Sequence, residues 1–132
     1  PWKRTVRDWG MPLRDWLEAG VMVTGGTDNP AVVYDLEQPF LCQYSAATGQ
    51  TLAGVLLPGQ HATREEMLRL FTINNAYSRF QEDILGSIEP GKHADLVVLD
   101  QDILTCSDEE LRTIQVLQTY VGGEVVHDTL RS

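Results

Sequence analysis

Three things are scarce in this 132-residue chain: cysteine, basic side chains and long apolar runs. The two cysteines, Cys42 and Cys106, lie far apart and belong to no Cys-x-x-Cys pair, so neither a zinc knuckle nor a redox dithiol can be read. They are expected to be reduced and largely buried thiols. Ten basic against nineteen acidic side chains leave a net charge of -9, which repels phosphate backbones and excludes nucleic acid as an expected partner. No apolar run approaches the roughly 20 residues of a membrane-spanning helix, and the opening Pro-Trp-Lys-Arg lacks the apolar stretch of a secretory signal. Neither a membrane nor a nucleic-acid partner is therefore expected, and a soluble, cytoplasmic protein is. With 42% hydrophobic and 22% charged residues, the composition is that of a folded domain.

What is present reads as helix, buried strand, helices and then an all-β tail. Pro12 opens a short amphipathic helix carrying Leu13, Trp16 and Leu17, which Gly20 ends. Val21-Met22-Val23-Thr24 is apolar, largely β-branched and bounded by glycines, the pattern of a strand buried on both faces. Gly25-Gly26-Thr27-Asp28-Asn29-Pro30 follows, placing turn residues and a carboxylate at the C-terminal end of that strand. Pro39 to about Thr48 predicts a helix, residues 49–60 a loop, and Thr63 with Glu66 a capping box that opens another helix through Phe71. Asn74 to about Gln81 continues in helical spacing. Glu89-Pro90-Gly91-Lys92 is a turn, with Lys92 expected in solvent, and Ala94 to Asp100 a strand that Asp95 opens by bonding backbone groups. Ser107 and Glu110 cap one helical turn, and Gly122-Gly123 joins two strands in a hairpin.

Taken together, Gly25-Gly26-Thr27-Asp28-Asn29-Pro30, Thr72-Ile73-Asn74-Asn75-Ala76, the run from Gly86-Ser87 through Pro90-Gly91-Lys92-His93-Ala94-Asp95 to Asp100, and the closing hairpin resemble the amidohydrolase superfamily. The nearest pattern is its formamide-deformylase and aminoacylase branch. Thr27 stands where serine is commoner and Asn75 replaces an alanine; the first keeps the hydroxyl. The resemblance implies an α/β fold in two parts. Residues 1–84 would be the C-terminal segment of a metal-dependent (β/α)8 barrel hydrolase, with the last strand and the following helices. Residues 85–132 would be the β tail of the accompanying β-sandwich, with its terminal hairpin.

It further implies one or two divalent metals, zinc being expected, and a small-molecule amide-type substrate. Asp28 would be both a metal ligand and the catalytic carboxylate that takes a proton from the attacking water. By its local residues alone, Asp28 also fits an Asp-Asn-Pro turn that caps the backbone. The family's other ligands precede this segment, and His61, His93 and His127 have no spacing that replaces them. The isolated chain is therefore expected to be inactive and to bind no metal tightly. The alternative is a non-enzymatic, oligomerising α+β module derived from an amidohydrolase. In either case unpaired strand edges predict a homo-oligomer, a two-fold dimer being the simplest.

Overall fold

The computed structural model of the protein describes residues 11–27, 39–51, 54–55 and 58–131. The chain divides into two compact units, Pro1–Phe71 and Thr72–Ser132.

In the first unit, α1 (Leu13–Glu18) starts after Pro12 and buries Leu13. Helix α2 (Pro39–Thr48) buries Phe40 and Gln43, and Thr48 closes it by donating its hydroxyl to the Tyr44 carbonyl at 2.7 Å. A two-residue antiparallel ladder follows, β1 (Gln50–Thr51) with β2 (Gly54–Val55), inside the stretch expected to be loop. Helix α3 (Arg64–Phe71) packs against α2 and buries Met67 and Leu70. The capping box foreseen for it is formed: Glu66 N–H donates to Thr63 Oγ1 at 3.2 Å, and Thr63 N–H to Glu66 Oε2 at 2.7 Å. Ala62, also buried, donates its N–H to the Ala46 carbonyl at 2.8 Å and so ties the start of α3 to α2.

Residues 21–27 do not form the expected strand. They take no regular secondary structure, belong to neither sheet, and leave Val21 50% and Met22 52% exposed. A strand buried on both faces is defined by neighbours on both sides, and none of the described residues supplies such a ladder.

In the second unit, α4 (Ile73–Ser78) is followed by a long turn region, β3 (Leu96–Leu99), α5 (Asp108–Thr113), β4 (Val116–Val121) and β5 (Glu124–Asp128). The three strands form an antiparallel sheet in the order β3-β4-β5, with Leu96 opposite Tyr120 and Tyr120 opposite Val125. Gly122 and Gly123, at φ 58 and 86, supply the two positive angles that a tight hairpin turn requires. On one face of the sheet Tyr120 Oη donates to Gln118 Oε1 at 3.1 Å, and Gln118 Nε2 to Asp128 Oδ2 at 3.0 Å, a ladder of polar side chains running across β4 and β5. Helix α5 has its predicted capping box between Ser107 and Glu110 and encloses Leu111 completely. Ile114 is the other apolar side chain buried beside it in sequence. Among the described residues β3 and β5 are the outer strands of the sheet, as the three-strand order requires.

Candidate active-site segment

Asp28, the candidate ligand and proton acceptor, lies outside the described residues, as do Asn29 and Pro30. The stretch that leads into it is described, and Gly25 fixes it to the first unit. Gly25 donates its N–H to the carbonyl of Leu70, in the last turn of α3, at 2.9 Å. A Cβ at position 25 would meet the Phe71 ring at 2.5 Å, so glycine is what permits this close approach of backbone to ring. The residue three positions before Asp28 is thus docked on the C-terminal end of α3.

The other end of α3 is anchored by an ion pair that sequence reasoning missed. Arg14, on α1, donates from Nη2 to Glu66 Oε2 at 2.6 Å and from Nη1 to Glu66 Oε1 at 3.1 Å. Its Nη2 and Nε also donate to the His61 carbonyl, at 2.8 and 3.2 Å. The guanidinium therefore grips both the capping glutamate and the loop ahead of it. The Arg14 hydrogen bonds, with the Thr63 N–H, hold the Glu66 carboxyl down at about 2 against an ordinary 4.5. Because the folded-state value is depressed, the associated stability is present in full above about 4.5 and is lost as the pH falls toward about 2. Arg14→Met should flatten that acid slope and lower stability at neutral pH by about 1–2 kcal/mol, as expected for a bidentate pair still partly in water. Thermal unfolding at several pH values checks this: parallel wild-type and variant curves between pH 4.5 and 2 would refute it.

In the second unit the Gly86-to-Asp95 motif is a locked turn rather than a solvated one. Lys92, expected in solvent, has a side chain only 12% exposed. Its ammonium donates to the Glu82 carbonyl and to Ser87 Oγ, the latter at 2.7 Å, and lies 3.6 Å from Glu89 Oε1. Ser87 in turn donates to Glu89, which with Lys92 holds that carboxyl below its ordinary range. Gly86, at φ 88, brings the turn against α4, where a Cβ would stand 2.7 Å from Ile73 Cα. Asp95 does what the sequence suggested: its Oδ1 accepts the Gly122 N–H at 2.6 Å and seats the hairpin turn beside Ala94. The contacts of these residues build the local structure. His61, His93 and His127 are all exposed.

Among the described residues, no three His, Cys, Asp or Glu side chains gather into a group that could hold a metal ion. Cys42 and Cys106 are half-buried and not in a disulfide, and burial pushes the Cys42 thiol up. No described helix is long and apolar enough to cross a membrane.

The docked Gly25 backbone, the locked Gly-Lys-x-Ala-Asp turn and the antiparallel tail accompany a family match. Residues 4–127 match the amidohydrolase family, and the chain belongs to it. It is 42% identical over 113 residues to an N-substituted formamide deformylase of Arthrobacter pascens, covering 85% of this chain and 20% of that protein. An imidazolonepropionase of Streptococcus sanguinis is 31% identical over 93% of this chain and 27% of its own length. A 5-methylthioadenosine/S-adenosylhomocysteine deaminase of Teredinibacter turnerae is 32% identical over 86% of this chain and 25% of its own length. Among solved structures, an amidohydrolase from Thermotoga maritima MSB8 is similar with a TM-score of 0.66 and 28% identity, over 88% of this chain and 25% of that one. The chain thus spans between 20% and 27% of the length of these proteins.

Proposed function

We propose that this chain is the C-terminal part of a metal-dependent amidohydrolase whose complete form uses water to cleave a non-peptide C–N bond in a small amide, formamide or carbamate-like substrate. The observation that carries this reading is the 42% identity, over most of the chain, to a protein named for deformylating N-substituted formamides. Residues 1–84 are then the barrel segment and residues 85–132 the sandwich tail.

In this reading Asp28 is the working carboxylate of the segment. It accepts the proton of the attacking water and returns it to the leaving amine, a task suited to a short acidic side chain beside a fixed turn. Three residues upstream, the Gly25 backbone is docked on α3, which is the described anchor nearest to Asp28 in sequence. The divalent metal that the reading implies, zinc in the first instance, finds no ligand group among the described residues, so they do not by themselves fit a metal centre.

The isolated chain should show no hydrolase activity and retain no stoichiometric zinc after dialysis against a mild chelator, since one carboxylate cannot hold zinc tightly. Metal analysis after dialysis decides it, one equivalent retained being the contrary result. The reading as a whole is tested by a chimera in which the matching 113 residues of the Arthrobacter deformylase are replaced by those of this chain. Soluble protein with deformylase activity is expected; a soluble chimera without activity would count against the assignment.

A further inference from the structure

Two large apolar side chains of the second unit stand almost wholly in solvent, Phe80 at 91% exposure and Ile88 at 87%. Isolated exposed apolar residues are ordinary, but these two are held outward by turns built around them. Phe80 follows the C-cap of α4 at φ 58, with Phe80 N–H bonded to the Tyr77 carbonyl and Gln81 N–H to the Ala76 carbonyl. The same pair of bonds closes α1, from Gly20 N–H to the Leu17 carbonyl and from Val21 N–H to the Trp16 carbonyl, and there the position is filled by Gly20 at φ 74. Glycine suits that left-handed position; a bulky aromatic is strained in it and here recovers nothing by burial. Ile88 projects from the turn that Lys92 and Glu89 lock around Ser87. Tyr77 and Ile84, also exposed, lie between and beside them in sequence.

Strained but rigid presentation of apolar side chains is what a docking surface requires, since preordered anchors lose little freedom on binding. The second unit encloses few apolar side chains of its own, Ala76, Leu111 and Ile114 among the described residues. The chain accounts for 25% of the Thermotoga structure it resembles and 20% of the Arthrobacter relative, so a large remainder of the fold lies outside it. A net charge of -9 on each copy works against a second copy as the cover.

We propose that Phe80 and Ile88 are the anchors by which this segment seats on an apolar surface of the remainder of the amidohydrolase fold, a proposal that rests on the reading of the chain as part of such an enzyme. The signature is a change of sign. In the free chain Phe80→Gly relieves strain and should raise the melting temperature by about 2–4 °C, while Ile88→Ser should leave it unchanged. In the deformylase chimera both substitutions should instead lower it, by about 3 °C or more, because each removes a buried anchor. An active chimera whose melting temperature rises or stays level with Phe80→Gly and is unmoved by Ile88→Ser overturns the docking proposal and leaves the enzyme assignment standing. A chimera that fails to fold or to turn over overturns both. Sedimentation of the free chain is the independent check: a dimer that Phe80→Gly or Ile88→Ser dissociates would assign the surface to a second copy and overturn the proposal.

Discussion

In the active chimera, replacing Asp28 by asparagine should lower kcat by about two to four orders of magnitude, the usual contribution of a positioned proton acceptor. The amide keeps the shape and the polar contacts of the carboxylate but is not a base at neutral pH. The fold should therefore survive, with the melting temperature little changed, and the loss should fall on turnover more than on KM. Asp28→Glu gives the complementary measurement. It restores a base on a side chain one methylene longer, so partial recovery would show that position as well as charge is required. Unchanged turnover in Asp28→Asn would return Asp28 to the alternative its local sequence allows, an Asp-Asn-Pro turn that caps the backbone.

Truncating Leu111 should have the largest effect on stability. It is 0% exposed on a six-residue helix with few buried apolar companions, so Leu111→Ala loses the transfer free energy of the side chain and leaves a void around it. A loss of about 3 kcal/mol is expected, large beside the stability of a small domain. Leu111→Met, which keeps the volume, should cost less than about 1.5 kcal/mol. Val126→Ala, at an exposed position on β5, should stay within about 0.5 kcal/mol. Denaturant unfolding of the three variants checks this, and equal losses at Leu111 and Val126 would show that the second unit has no core to lose.

The expected elements that came through best are those fixed by residues within four positions of one another. Thr63 with Glu66 and Ser107 with Glu110 form their capping boxes, and Gly122-Gly123 makes its hairpin. The strand expected at residues 21–24 is the opposite case. Val21-Met22-Val23-Thr24 has the composition of a doubly buried strand, yet burial and ladder bonds come from other strands, and the described residues contain none that pair with it. Lys92 was unreadable for a related reason. Lysine beside a Pro-Gly turn is ordinarily solvated, and only the return of the chain past Glu82 and Ser87 gives its ammonium part-buried acceptors.

The sequence by itself determined the family and the order of helices and antiparallel tail, because turn chemistry, capping and motif order are local properties of neighbouring residues; the role of Asp28 stays a proposal. The tertiary structure decided what holds those pieces in place. Arg14 reaches Glu66 across the first unit, and Gly25 lies against the Phe71 ring. Each of these depends on where distant backbone happens to pass. Apolar pattern and propensity, being short-ranged, carry no record of that path.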